Sequence, residues 1–118
     1  MLKGKVRTTH PVYYVRSLAE SLRFYHDQLG FAIGFEIEEA KVALIELTAG
    51  AALVLGEDAA KVASAGAPVF VLNIDDVDAA YAALGSRGVK FTAPPSDEFY
   101  GRAVELRDPD GYRLCLVS

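Results

Sequence analysis

Ile74-Asp75-Asp76-Val77 restates Val15-Arg16-Ser17-Leu18 at an offset of 59 residues, in a chain of 118. The same offset sets Leu22 against Tyr81, Tyr25 against Leu84, and Ile45-Glu46-Leu47 against Val104-Glu105-Leu106. A one-residue slip then brings Gly30-Phe31 onto Gly88-Val89. In each copy a strand-like run ends, a polar residue caps a helix, and a glycine stops it. Two like modules in so short a chain can face each other across a cleft.

Working outward, Val12-Tyr13-Tyr14-Val15 closes a strand expected over residues 5–15, because β-branched and aromatic residues favour extended backbone. Pro11 lacks an N–H for a ladder, which assigns that strand to an edge or to an arm exchanged between subunits. Ser17-Leu18-Ala19-Glu20 fits a capping box. Leu18, Leu22, Tyr25 and Leu29 recur at helical spacing, which predicts a helix over 18–29 ended by Gly30. Strands are expected at 31–38, 41–48 and 51–56. The second copy predicts a strand over 68–74 and a helix capped by Asp76, with Val77, Ala80, Tyr81 and Leu84 as its stripe. Further strands are expected at 89–93, 101–107 and 112–117. Residues 93–100 read as a loop, and Asp108-Pro109-Asp110-Gly111 as a tight turn. The fold class is α+β: one domain of two βαβββ modules, 1–57 and 67–118, joined by a linker at 58–66. Half of such a structure cannot cover both faces of its own small sheet, so it must pack on something.

Composition narrows the function. A net charge of −4 and a pI near 5.1 argue against a nucleic-acid or anionic-membrane partner. No apolar run approaches the roughly 20 residues that span a bilayer. Cys115 is the one cysteine, so no internal disulfide forms. With Met1-Leu2-Lys3-Gly4-Lys5 showing no signal-like apolar stretch, a cytoplasmic location is expected.

Several stretches together resemble the vicinal oxygen chelate superfamily of glyoxalase I, extradiol dioxygenases and bleomycin resistance proteins. They are Val15-Arg16-Ser17-Leu18, Phe24-Tyr25, Leu29-Gly30-Phe31, Asp75 to Tyr81, and Leu106-Arg107-Asp108-Pro109-Asp110-Gly111. The likeness spans nearly the whole chain. Tyr100-Gly101-Arg102 and Pro11 lean towards the bleomycin resistance proteins. The resemblance implies a groove between curved sheets and a homodimer, with the first strand sometimes exchanged. In the enzymes it also implies a divalent metal held at four strand positions. Those positions here are His10, Val54, Val69 and Cys115. Only His10 is an ordinary ligand for such a metal, and a thiol suits hard cations poorly. No metal and no catalytic residue are therefore expected. A zinc site joining His10 and Cys115 with Glu46 or Glu105 is the alternative. The plainer readings are a hydrogen-bonded histidine and a small buried cysteine.

Period-2 alternation directs His10, Val12 and Tyr14 to the groove, with Val69, Val71, Asn73, Arg113, Cys115 and Val117. Tyr14, Glu46, Asn73, Glu105 and Arg113 are the polar anchors of an otherwise apolar surface, which suits a small organic ligand. Glu46 and Glu105 are expected to pair with Arg102, Arg107 or Arg113 before they act as acid or base. Phe99 and Tyr100 either stack on a planar ligand from a loop, or plug the sheet end, or touch a second subunit. His26 is off the helix stripe and expected to be exposed. The expected function is metal-independent binding or sequestration of an antibiotic-like small molecule. The alternative is a metal-dependent glyoxalase-like lyase or ring-cleaving dioxygenase.

Overall fold

The computed structural model describes Gly4 and residues 9–118. The chain forms two compact units that meet in sequence at Val62 and Ala63. In the first, β1 (Val12–Val15) leads to α1 (Leu18–Leu22), then β2 (Ala32–Ile37), β3 (Val42–Thr48) and β4 (Ala51–Glu57). A single 3-10 turn follows at Ala59–Lys61. In the second, β5 (Phe70–Asn73) leads to α2 (Val77–Ser86), then β6 (Ser96–Glu98), β7 (Gly101–Arg107) and β8 (Arg113–Val117). The α+β class and the βαβββ order expected from the repeat are both present. The sheets run β1-β4-β3-β2 and β5-β8-β7-β6. In each, the first strand lies parallel to the last and the other pairings are antiparallel.

One face of each sheet is the core. Tyr13, Val15, Ala43, Ile45, Leu53 and Leu55 are buried in the first unit, as are Leu106, Leu114 and Leu116 in the second. Alternation leaves the other face for function. Helix position is fixed twice over. Ser17 Oγ accepts from Glu20 N–H at 3.2 Å, and Asp76 Oδ1 from Ala79 N–H at 3.0 Å, as caps should. A second acceptor comes from just beyond or at the end of each last strand. Glu57 Oε1 accepts from Leu18 N–H at 3.0 Å, and Ser118 Oγ from Val77 N–H at 3.1 Å. Each helix is thus tied, through an otherwise orphan amide, to the strand that returns beside β1 or β5.

Two expectations need correction. The helix over 18–29 is α-helical only to Leu22; Arg23–Gln28 is a π-helical segment. Leu29 N–H bonds the Phe24 carbonyl and Phe31 N–H that of Tyr25. The wider turn rotates Ser21, Phe24 and Tyr25 into the core and leaves Leu22 and Leu29 only half-buried. The strand expected at 89–93 is reduced to one bridge from Phe91 to Leu106, while β6 forms inside the stretch read as a loop. Pro94-Pro95 cannot donate to a ladder, so the fourth strand of that sheet breaks there and resumes at Ser96. Residues 5–8 of the strand expected over 5–15 lie outside the described residues, and β1 pairs with β4 of its own chain along the sheet edge.

Two measurements follow from this packing. Ser21 Oγ is fully buried with no hydrogen-bond partner among the described residues. Ser21→Ala removes that uncompensated group and should raise the unfolding free energy by about 1 kcal/mol in urea titration; a loss of stability would show the hydroxyl to be bonded. The Leu18 N–H, and then Lys41 at 3.3 Å, hold the Glu57 carboxyl below the ordinary carboxylate range. A depressed carboxyl stabilises the fold above its unfolded value, and that contribution is lost as pH falls through the folded value. Acidification from neutral pH to about pH 3 should therefore lower the urea midpoint of the native chain more than that of Glu57→Gln. Equal declines would dismiss the carboxylate as the source.

Candidate functional site

The open face of the first sheet is laid out in rows by its pairing register. One row runs Val12, Val54, Leu44, Phe35 across β1, β4, β3 and β2. The next, towards the helix start, runs Tyr14, Gly56, Val42, Ile37. On the other side lie Ala52, Glu46 and Ala32, and the bridge from Thr9 to Ala51 sets His10 beside Ala52. His10 and Glu46 thus occupy one row, two interstrand spacings or about 10 Å apart. Only alanine stands between them. This row and the Ala49-Gly50 turn line an open cavity of about 620 Å³, with Leu44 and Thr48 contributing. That volume lies in the range of small-molecule pockets.

Gly34 shapes this end. It is the extra residue of a β-bulge between Ile33 and Phe35. A Cβ there would lie 2.7 Å from Leu44 Cδ2 and 3.0 Å from Glu46 Oε1. Both side chains therefore lie down across the bulge. At the far end the Tyr14 ring rests on Gly56, with Lys61 Nζ 5.0 Å from its centroid.

The open face of the second sheet carries different chemistry. Val71, Cys115 and Glu105 form one row; Asn73, Val117, Ala103 and Ser96 form the next. Arg113 pairs with Arg107, and Val69 flanks Arg113. Glu105 Oε1 accepts from Arg113 Nε at 2.7 Å, with the terminal nitrogen at 2.6 Å. Glu105 is therefore in an ion pair, as weighed from sequence. Glu46 is not, among the described residues. Arg102 is on the helix side: it grips Asp78 of α2 through Nε (3.2 Å) and Nη2 (3.1 Å), and Asp97 of β6 at 3.2 Å. It has no place on the open face.

Phe99 and Tyr100 form the two-residue turn of the β6–β7 hairpin rather than a mobile loop. Their rings meet edge-on at 4.9 Å. Phe99 is fully exposed. Partial burial, then the nearby Cys115, Glu98 and Glu105, push the Tyr100 phenol up. Burial, then Glu105, likewise pushes the Cys115 thiol up, only partly offset by Arg113. The thiol is therefore not an activated nucleophile. His26 is exposed and its Nδ1 lies 2.6 Å from the Phe31 carbonyl, a local closure of the π-helical segment.

The register also corrects the repeat. Aligning β1 with β5 at 59 residues sets Val12 on Val71. Their last-strand neighbours, Val54 and Cys115, then pair with Leu44 and Glu105. Glu105 thus answers to Leu44, and Glu46 answers to Arg107. The Ile45-Glu46-Leu47 and Val104-Glu105-Leu106 match is a likeness of sequence, displaced by two residues in space. The hairpins are equally long between these positions, 10 residues from Leu44 to Val54 and 10 from Glu105 to Cys115, so the two extra residues of the second unit lie between β5 and β7.

Residues 7–116 match the Glyoxalase/Bleomycin resistance protein/Dioxygenase superfamily. The chain belongs to this superfamily. It is 31% identical over 109 residues to the Bacillus subtilis (strain 168) protein YraH, with 81% of this chain and 85% of that protein covered. Among solved structures, TnmS3, an antibiotic binding protein from Streptomyces sp. CB03234, superposes with a TM-score of 0.75 at 24% identity. That alignment covers 99% of this chain and 97% of TnmS3. A lactoylglutathione lyase from Agrobacterium tumefaciens gives 0.75 at 17% identity, over 98% and 95%. These likenesses establish the shared fold.

The superfamily's divalent metal can be tested against the side chains present. In the first unit the paired strands offer His10 and Val54; in the second, Val69 and Cys115. Each unit supplies one donor and one hydrocarbon. No three His, Cys, Asp or Glu side chains converge among the described residues. The donor set does not fit a Lewis-acid centre.

The Ala52 row gives a direct check. Ala52→Leu places an isobutyl group between His10 and Glu46 on an exposed sheet face, so the fold should persist. A ligand of the native chain should then lose about tenfold or more in affinity by calorimetry. Unchanged affinity would move the site elsewhere.

Proposed function

We propose that the chain binds a small, planar or amphiphilic organic molecule without a metal, and protects by sequestration as a resistance protein does. The single observation that carries this is the cavity on the first sheet. It has polar groups at one end and an apolar row, Val12, Val54, Leu44 and Phe35, leading away from it. A flat organic body suits that row, and His10 and Glu46 orient its polar end. The donor chemistry at the four family positions supports a metal-free site. Sequestration needs affinity and stoichiometric protein, so no activated nucleophile or tuned acid–base pair is required. TnmS3, an antibiotic binding protein of the same fold, supports an antibiotic-like ligand.

A homodimer belongs to the same reading. Val12, Phe35 and Ile37 are 50%, 44% and 48% exposed on one sheet face, and such apolar surface is usually covered in an assembly. No helix among the described residues is long and apolar enough to cross a membrane. The lone thiol supports a cytoplasmic location.

Metal-free purified protein should show a rise of several degrees in melting temperature with members of a panel of antibiotics, and none with glutathione adducts or catechols. Elemental analysis completes the test. About one equivalent of zinc, nickel, manganese or iron that is lost in His10→Ala would overturn this reading in favour of a glyoxalase-like lyase or dioxygenase.

A further inference from the structure

We propose, on the premise that the cavity of the first sheet is the binding site, that Glu46 selects the charge of the ligand. The end that enters the cavity carries an amidinium or a protonated amine.

Glu46 differs from Glu105 of the second sheet. Glu105 is neutralised by Arg113 at 2.6 and 2.7 Å. Glu46 has no ion pair and no hydrogen bond among the described residues, and its strand neighbours Ala52 and Ala32 have no polar side chain. A solvated surface glutamate would extend away from the sheet. This one lies across the bulge, its Oε1 3.0 Å from where a Cβ of Gly34 would stand. Gly34 is therefore the positioning residue, and the carboxylate forms part of the cavity lining. At the corresponding place the second sheet has Arg107, and beside it Arg113 where the first has Ala52. The two open faces thus carry opposite charge in corresponding rows.

A ligand that fills the cavity displaces water from this carboxylate. A neutral or anionic end would leave the charge without compensation, whereas a cationic N–H donor replaces the lost water with a charge-assisted hydrogen bond. The selectivity arises as much from the penalty on the wrong ligand as from attraction to the right one.

Three probes of one shape separate these effects: 2-naphthamidine, 2-naphthamide and 2-naphthoate, titrated at low salt and followed by the backbone amides of Ala32, Gly34 and Ala52 in NMR spectra. The amidine should bind about five- to tenfold more tightly than the amide, and the naphthoate more weakly than either. Glu46→Gln should bring the two to similar affinity, weakening the amidine and relieving the penalty on the amide. Glu46→Asp, with its shorter reach, should keep part of the preference. Equal affinities in the native chain, or an amidine advantage that survives Glu46→Gln, would overturn charge selection while leaving the cavity as the binding site. Failure of all three probes to perturb these amides would overturn both.

Discussion

Each unit depends on one constraint: the last strand must return beside the first and end where the helix begins. The parallel ladders of β1 with β4 and β5 with β8 bring this about. Glu57 and Ser118 then spend a side-chain acceptor on the first helical amide, Leu18 or Val77. Two different residue types fill one structural role, an acceptor aimed at a donor that the helix cannot satisfy itself. The tie sets the helix on one sheet face, and burial of Val15, Ile45 and Leu55, or of Leu106 and Leu114, holds it there. With one face committed to the helix, the other can carry different chemistry in the two units.

That division explains how a repeat of scaffold residues coexists with unlike chemistry. In the first unit the row nearest the β3–β4 turn is His10, Ala52, Glu46 and Ala32. In the second the corresponding positions are Val69, Arg113 and Arg107. Small residues open a cavity in one and arginines fill the other. A shift of two residues along a strand keeps each side chain on its face, so the core pattern survives while every partner changes. Chain length ahead of the hairpin is the source of the shift: Val71 to Glu105 spans two residues more than Val12 to Leu44.

The fold was legible because period and punctuation agreed. Ser17 and Asp76 are caps, Gly30 and Gly88 end helices, and the strand alternation placed Tyr13 and Val15 inward and Val12 outward, as the burial shows. The π-helical segment was not legible, because Leu18, Leu22, Tyr25 and Leu29 satisfy a 3.6-residue period that the backbone abandons after Leu22. The break in the edge strand has its signal in Pro94-Pro95, but prolines mark a loop and an interrupted edge strand alike. Arg102 was misplaced for a different reason. Asp97 faces it across the β6–β7 hairpin, inside a stretch expected as a loop, and Asp78 reaches it only through the packing of α2 beside β7. Glu46 and Glu105 looked equivalent because the eye aligns Ile-Glu-Leu with Val-Glu-Leu, whereas hydrogen-bond register aligns strands.

The same register bears on how function changes within such a fold. Metal chemistry needs several donors held at once, so loss of two to hydrocarbon side chains removes the site even while the strands that carried it persist. Recognition of an organic molecule has no such threshold. It needs a cavity, an apolar wall and one or two oriented polar groups, each of which contributes separately. Val54 illustrates the exchange. At a family ligand position it can coordinate nothing, yet it lies between Val12 and Leu44 in the apolar row that a flat ligand would cover. A side chain that ends metal ligation there is compatible with an apolar ligand wall, so one scaffold can host either chemistry without rebuilding its core.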